Sequence, residues 1–110
     1  MSSARQPEQF AYVTTIGRVS GLPRQIEIWF VEDQDLVYIL AEHGYRANWV
    51  RNILKNPEVR LRIGGNECVA TARIVDAERE SEIYSKAREL SRRKYGWGDG
   101  LPVEIRRLAN

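Results

Sequence analysis

The sequence predicts a mainly β protein, with about six antiparallel strands closed or partly closed into a small barrel and one short and one longer helix at its margins. Two observations lead to this fold. Short runs rich in β-branched and aromatic residues follow one another along the chain, separated by turn residues such as Gly and Asp. The connections between the first three strands are too short for the crossover that a parallel sheet needs, so a doubly wound parallel fold is excluded.

The first half of the chain contains three predicted strands. Residues 11–16 form the first strand, and Gly17 ends it. Residues 24–32 alternate apolar and polar side chains, which indicates a strand with one wet face. Residues 36–41 (LVYILA) are apolar on both faces, which is typical of a strand buried in the middle of a barrel.

The next segment combines a short helix with a hairpin. Apolar residues at helical spacing predict the helix between Gly44 and Pro57. Residues 58–63 and 67–75 are predicted to pair around a Gly-Gly-Asn turn. Both faces of the second strand are partly apolar, which suggests a core on one side and another subunit, hence a homodimer, on the other.

A longer helix is predicted to begin at Asp76, whose carboxylate can cap it, and to end at Gly96. Its buried stripe is Ile83, Tyr84, Ala87, Leu90 and Tyr95. The three glycines and one proline that follow exclude regular structure until Pro102 is passed. This segment is predicted to be a shaped loop or a lid in which Trp97 and Asp99 close over substrate. The alternatives are a seal on the open end of the barrel and a contact with a second subunit.

Length and composition restrict the chain to a single domain over residues 1–110. A chain of 110 residues can bury one core but not two. Its 43% hydrophobic and 29% charged residues are ordinary for a folded globular protein. The 17 basic and 15 acidic side chains give a net charge of +2, too close to balance for a protein that binds by neutralising many phosphates, so nucleic acid is not expected as a partner.

Cysteine, histidine and hydropathy exclude further classes of protein. Cys68 is the single cysteine and His43 the single histidine, so neither an internal disulfide nor a zinc site is expected. The N-terminal segment contains no apolar core of a signal peptide, and no run approaches the ~20 apolar residues of a membrane-spanning helix. These observations predict a cytoplasmic protein without a metal centre.

The first hairpin carries more charge than a turn requires. In GRVSGLPR, Arg18 and Arg24 bracket a Ser-Gly-Leu-Pro turn. Planar guanidinium groups, a hydroxyl and free backbone amides hold a phosphate well, and Arg18, Ser20, the Gly21 amide and Arg24 would supply all of these. The sequence therefore predicts an anion-binding turn, with solvated turn arginines as the alternative.

Several segments together resemble a known family. The runs TTIGRVSGLPR, EIWFVE, AEHGYRANWVRN, NPEVRLRIGG and YGWGDGLP are similar to those of the deazaflavin (F420)-dependent nitroreductases, within the pyridoxamine 5'-phosphate oxidase-like FMN-binding split β-barrel superfamily. The similarity extends from about Tyr12 to Val103. It implies a split β-barrel that binds the deazaflavin coenzyme F420, with FMN bound instead by many cousins, and a homodimer.

The resemblance also implies where the cofactor binds. Arg18 and Arg24 match basic positions that hold the phosphate tail, and Val19 stands where the family often has a second basic residue. The ring is expected where the third strand ends and the short helix begins, at Ala41, His43, Gly44, Trp49 and Asn52. For Trp49, core packing alone is the alternative, and for His43 an exposed loop position without a role.

No side chain is predicted to be catalytic, because no nucleophile with its base and no carboxylate pair stands out. In hydride transfer the cofactor carries the chemistry, and the polypeptide binds and orients. The leading hypothesis is therefore an oxidoreductase that transfers a hydride from reduced F420 to a small electrophilic acceptor, such as a quinone, nitro compound or activated alkene. The alternatives are an FMN-dependent oxidoreductase, a non-enzymatic binder of a phosphorylated ligand, and a barrel that stacks nucleic-acid bases.

Overall fold

The computed structural model describes residues 9–108, which form one antiparallel sheet of seven strands and two α-helices. The strands are β1 (Phe10–Ile16), β2 (Pro23–Trp29), β3 (Val31–Asp33), β4 (Leu36–Ala41), β5 (Glu58–Ile63), β6 (Asn66–Ile74) and β7 (Leu101–Arg107). The helices are α1 (Asn48–Lys55), preceded by a 3-10 turn at Gly44–Arg46, and α2 (Ser81–Tyr95). The mainly β fold predicted from the sequence is confirmed. Residues 1–8, where no signal sequence is predicted, lie outside the described residues.

The two edge strands of the sheet are consecutive in the chain, and this closes the sheet on itself. The strand order is β2-β1-β5-β6-β7-β4-β3, with β2 at one edge and β3 at the other. Only Phe30 separates Trp29 from Val31. A link of one residue reaches about 7 Å at most, so the two edges must lie side by side. The sheet is therefore curled into a barrel with a corner at Phe30.

Helix α2 holds this corner. Phe30 is only 4% exposed, so its backbone N–H and carbonyl need partners. Phe30 N lies 3.1 Å from the Tyr95 hydroxyl, and the Phe30 carbonyl oxygen lies 2.8 Å from that hydroxyl and 3.0 Å from Lys94 Nζ. The Tyr95 ring also stacks on Trp29, with centroids 4.4 Å apart. The single strand predicted over residues 24–32 is wrong, because the chain changes edges at Phe30 although its apolar alternation continues.

Removing the hydroxyl at this corner is expected to destabilise the fold. We expect Tyr95→Phe to lower the free energy of unfolding by about 1–2 kcal/mol, because Phe30 N–H loses its acceptor while the ring stacking on Trp29 is kept. Urea denaturation followed by circular dichroism measures the change. Tyr45→Phe is the matched control, since Tyr45 is 56% exposed and its loss should cost less than about 0.5 kcal/mol. Equal stability of Tyr95→Phe and the wild type would contradict this role.

Apolar side chains form two clusters on opposite sides of the sheet. The cluster inside the barrel includes Ala11, Val13, Val37, Ile39, Val59, Leu61, Ala70, Ala72, Val103 and Ile105. The cluster beneath α2 includes Val31, Tyr38, Leu40, Val75 and Ala87. Because β4 contributes alternate side chains to both clusters, it is buried on both faces, as its sequence predicts.

The glycine- and proline-rich segment leads into a strand that the sequence analysis did not predict. Strand β7 pairs with β4 on one side and β6 on the other, in the interior of the sheet. Pro102 is tolerated there because it is the second residue of the strand, and its carbonyl oxygen still accepts a hydrogen bond from Val75 N at 3.0 Å. The predicted loop is therefore shorter than expected, since regular structure begins at Leu101.

Helix α2 begins four residues later than predicted, since its N-cap is Glu80 and not Asp76. Asp76 Oδ1 accepts hydrogen bonds from two backbone N–H groups, at 2.8 and 2.9 Å, but these bonds close a turn over residues 76–80 and do not cap the helix. Ser81 is the first helical residue. The other end is as predicted, because Gly96 adopts the left-handed conformation, with φ +80°, that ends many helices.

A buried carboxylate connects three strands to the start of α2. The Glu104 side chain is 4% exposed, and its Oε1 accepts a hydrogen bond from Arg73 Nε at 3.0 Å. The Tyr38 hydroxyl donates to Glu104 Oε2 at 3.2 Å, and burial together with this carboxylate raises the pKa of Tyr38 to about 12. Arg73 also pairs with Glu80 at 2.6 Å, and this hydrogen bond lowers the pKa of Glu80 to about 2.

Candidate functional site

Two adjoining cavities open where the β1–β2 turn, the end of β4 and helix α1 meet. The larger has a volume of about 1020 Å³. We call it the basic cleft, because its lining includes Arg18, Arg24 and Arg46. The smaller, of about 540 Å³, is the aromatic compartment, and its lining includes Phe10, Trp29, Trp49 and Trp97. The two cavities share a wall formed by His43, Ala47 and Trp49.

The structure brings most of the predicted site residues to the basic cleft. Six of the nine line it: Arg18, Ser20, Arg24, His43, Trp49 and Asn52. The other three, which are Gly21, Ala41 and Gly44, are absent from its lining. The lining also includes residues that the sequence analysis did not assign to a site, namely Ile26, Arg46, Ala47 and Asn48. The cleft is thus assembled by tertiary contacts between the turn and α1.

The backbone of the β1–β2 turn is satisfied by its own hydrogen bonds. Gly21 N donates to the Gly17 carbonyl oxygen at 2.8 Å, and Gly17 N donates to the Leu22 carbonyl oxygen at 2.8 Å. Ser20 Oγ accepts a hydrogen bond from Leu22 N at 3.1 Å. The interpretation of the Gly21 amide as a free donor for phosphate is therefore wrong. Gly21 serves the turn itself, since its φ of +72° suits glycine.

Arg18 is fixed by two asparagines of helix α1. Arg18 Nη1 and Arg18 N both donate to Asn52 Oδ1, at 3.0 and 3.1 Å, and Arg18 Nη2 donates to Asn48 Oδ1 at 3.3 Å. Asn52 is only 4% exposed, and its Nδ2 donates to Thr15 Oγ1 at 3.0 Å. Its amide therefore joins α1 to β1 and positions Arg18, which explains why a polar residue stands on the buried face of this helix.

Arg24 and Arg46 differ from Arg18 because no residue that the structure describes pairs with their charges. Within residues 9–108, neither guanidinium forms a hydrogen bond or an ion pair. Arg46, to which the sequence assigns no role, lies on the cleft wall. It lies in the 3-10 turn, two residues after Gly44, which has a positive φ of +58°. Two unpaired guanidinium groups beside a third make the cleft attractive to anions.

The segment after β4 contributes to the cavities through His43. His43 is exposed and lies in the shared wall. Gly44 has a φ of +58°, which suits glycine in the backbone turn, and a Cβ there would meet no protein atom within 4 Å. Ala41 is 1% exposed, and its carbonyl oxygen packs closely against Gly100. A Cβ added at Gly100 would lie only 2.9 Å from that oxygen. The structure therefore gives Ala41 and Gly44 supporting positions behind the wall.

The aromatic compartment has a rigid wall. Trp29 and Trp97 meet edge to face, with ring centroids 6.4 Å apart and planes at 63°. Ser91 Oγ donates to the Trp97 carbonyl oxygen at 2.5 Å, and Arg88 Nε donates to the Gly98 carbonyl oxygen at 2.7 Å. These bonds attach the loop after α2 to the helix. Of the sequence-based alternatives for this loop, the structure therefore favours a fixed seal over a lid.

Other kinds of site find no support in the part of the chain that the structure describes. Over residues 9–108, no three His, Cys, Asp or Glu side chains gather where they could hold a metal ion. Neither described helix has the length and apolar character needed to cross a membrane. Cys68 is half-buried and packs against the core inside the barrel, as expected of a small apolar residue.

The sequence itself matches a family model. The model for F420H(2)-dependent quinone reductases matches residues 4–106. The chain belongs to this family. Membership in the F420H(2)-dependent quinone reductase family confirms the resemblance to deazaflavin-dependent enzymes predicted from the sequence, and it makes the chain an oxidoreductase. The single domain, the cytoplasmic location and the homodimer stay predictions.

Solved structures of low sequence identity share the fold of this quinone reductase family member. An F420-H2 dependent reductase (FDR-A) is 23% identical, with a TM-score of 0.66, and the match covers 96% of this chain and 99% of that one. The heme storage protein HutZ from Vibrio cholerae is 18% identical, with a TM-score of 0.75, and coverage of 94% and 84%. A Listeria innocua protein assigned to the pyridoxamine 5'-phosphate oxidases is 17% identical, with a TM-score of 0.68, and coverage of 91% and 82%.

At these identities the likeness shows the fold, and it confirms the split β-barrel predicted from the sequence. Among curated proteins, none matches the chain significantly. The family match and the two cavities are therefore the observations from which a function can be argued.

Proposed function

We propose that this chain binds reduced coenzyme F420 and transfers a hydride from it to a quinone, a nitro compound or an activated alkene. The observation that carries the proposal is the adjacency of the two cavities, one basic and one aromatic, across a single shared wall. An anionic cofactor tail needs the basic environment, and the cofactor ring and a planar acceptor need an apolar one beside it. The family assignment supports F420 as that cofactor.

The basic cleft suits the phosphate-bearing tail. Arg24 and Arg46 offer guanidinium groups that no described residue uses, and planar guanidinium forks bind phosphate and carboxylate well. Arg18 adds positive charge from a fixed position, because Asn52 holds it. Ser20 Oγ acts as an acceptor within the turn, which leaves its hydroxyl hydrogen for a ligand oxygen. Val19, where relatives often have a basic residue, is 93% exposed, and Arg46 supplies a third charge from the other side of the cleft.

The shared wall is where the ring of the cofactor would meet its acceptor. When bound, a reduced deazaflavin supplies a hydride that, with a proton, converts a quinone into a hydroquinone. Trp49 and Ala47 would hold the ring, because both face the basic cleft and the aromatic compartment. The protein contributes binding, orientation and exclusion of water, and we assign no bond-making step to a side chain. This agrees with the absence of a predicted catalytic group.

Binding and turnover together test this function. Fluorescence titration of the cofactor-free protein is expected to show F420 binding at least about tenfold more tightly than FMN, because the longer tail of F420 carries carboxylates that the three arginines can also hold. Oxidation of reduced F420 should then depend on a neutral naphthoquinone. Tighter binding of FMN would favour the FMN-dependent alternative. Binding of F420 without turnover across quinones, nitro compounds and activated alkenes would favour a non-enzymatic binder.

A further inference from the structure

The aromatic compartment carries charge of the opposite sign to the basic cleft. Its charged lining residues are Glu27 of β2 and Glu42, which directly follows β4. The arginines of the basic cleft do not line it. Among residues 9–108, His43, in the shared wall, is the remaining titratable group that faces it. Across one shared wall, the lining therefore changes from guanidinium groups to carboxylates.

The size and walls of the compartment fit one small planar molecule. Its volume of about 540 Å³ lies within the range of ordinary small-molecule sites. Trp29 is held on two sides, because its ring lies parallel to that of Tyr95, with an interplanar angle of 2°, and meets Trp97 edge to face. A fixed aromatic wall favours the stacking of a planar ring. The cavity is thus formed before a ligand enters it.

The carboxylate of Glu27 is also fixed in place. Tyr12 is the cross-strand partner of Glu27, and its hydroxyl donates to Glu27 Oε2 at 2.5 Å. This bond holds the carboxylate at the wall without neutralising it. Glu42 reaches the same compartment from the end of β4, on the other side of the barrel corner. Negative charge therefore borders the compartment from two separate elements.

We propose that the aromatic compartment is the acceptor site and that Glu27 and Glu42 select neutral and cationic planar acceptors against anionic ones. The inference rests on the proposed function, in which F420 occupies the basic cleft. A like charge about 7 Å away in a partly solvated cavity disfavours a ligand by roughly tenfold. Each acceptor gains one hydride from the reduced cofactor and one proton from water, so the step is the same for all charge classes. The same carboxylates keep the anionic tail of the cofactor out of the acceptor site.

Three naphthoquinones with the same ring test this selection, one neutral, one with a trimethylammonium arm and one with a sulfonate arm. In the wild type, kcat/KM with reduced F420 should be at least about tenfold higher for the cation than for the anion. In the Glu27→Gln, Glu42→Gln double variant the ratio of kcat/KM for the cation to that for the anion should approach one. Glu58→Gln is the matched control, because Glu58 lines neither cavity, and it should keep the wild-type ratio.

A binding measurement separates this inference from the proposed function. Isothermal titration calorimetry uses cofactor-free protein that carries Arg24→Ala and Arg46→Ala, so that the basic cleft does not compete for the anion. With non-reducible naphthalenes of the same three charges it should give the same order of Kd, and adding the double glutamine substitution should remove that order. Equal Kd values for cation and anion, or a preference that survives in the double variant, would overturn the inference. If the neutral quinone is reduced but the three charge classes give equal kcat/KM, the charge selection is refuted and the proposed hydride transfer stands. A charge order in Kd without reduction of any acceptor would refute the proposed function and leave the binding site intact.

Discussion

The Arg24→Ala, Arg46→Ala double variant is expected to bind F420 about 100-fold more weakly than the wild type. Each guanidinium is free to make one charge-assisted contact with the anionic tail, and such contacts contribute about 1.5 kcal/mol each, which is close to tenfold in Kd per contact. Neither side chain has a protein partner to lose within residues 9–108, so the fold should keep its stability. Fluorescence titration with F420 measures the affinity, and thermal unfolding confirms the fold.

A matched variant separates contact from net charge. Arg60→Ala, Arg79→Ala removes the same charge from exposed positions outside both cavities, and it should change the Kd for F420 by less than about threefold, since solvent and salt screen distant charges. Arg18→Ala is a poorer test, because its loss also frees the buried amide of Asn52. Equal weakening in both double variants would show that the arginines act only through the overall charge, and the cleft would lose its proposed role.

The second large effect concerns stability. Arg73→Met is expected to lower the free energy of unfolding by about 3 kcal/mol. It removes the guanidinium that lies 3.0 Å from the carboxylate of Glu104, which is 4% exposed, and leaves that carboxylate only Arg106, 3.8 Å away. Urea denaturation at neutral pH measures the change. Arg60→Met is the matched control, since Arg60 pairs with Glu67 at 3.4 Å but the two side chains are 57% and 51% exposed. Arg60→Met should lower the free energy of unfolding by less than about 0.5 kcal/mol.

The pH dependence of Arg73→Met distinguishes charge from packing. Arg73 lowers the pKa of Glu80 from 4.5 to about 2, so the stability that this carboxylate contributes is complete above pH 4.5 and is lost as the pH falls through about 2. Without Arg73, most of that contribution is missing at neutral pH. The difference between variant and wild type should therefore be largest near pH 7 and shrink towards pH 2. A difference that does not vary with pH would point to lost packing instead.

The strands with local signals could be predicted closely from the sequence. The predicted bounds of β4 and β5 agree with the structure, and those of β1 and β6 differ by one residue at most at each end. In each case alternation of side chains and turn residues lie within the segment itself. The corner at Phe30 and the strand β7 have no such signal, because the first depends on Tyr95, 65 residues away, and the second on its neighbours β4 and β6.

The same distinction applies to the candidate site. Arg18 and Arg24 could be identified because their turn has a recognisable pattern, and Asn52 because a polar residue stood on an apolar helix. Arg46 was missed, since an exposed arginine beside other charges has no distinctive pattern. The hydrogen bonds within the turn could not be foreseen either. Because the Gly21 amide donates to the Gly17 carbonyl oxygen, it is not free to donate to a phosphate. The aromatic compartment exists only after barrel closure brings together residues far apart in the chain.

Because of the one-residue link at Phe30, the width of the aromatic compartment depends on the position of helix α2. Trp29 is both a wall of that compartment and the last residue before the link. From the end of the helix, Tyr95 stacks on Trp29, and Tyr95 and Lys94 both donate to the Phe30 carbonyl oxygen. A bulky ligand that pushes Trp29 outward must therefore also displace the last turn of α2. Substitutions in that turn, although remote from the ligand, would change the size of the ring that fits in the compartment.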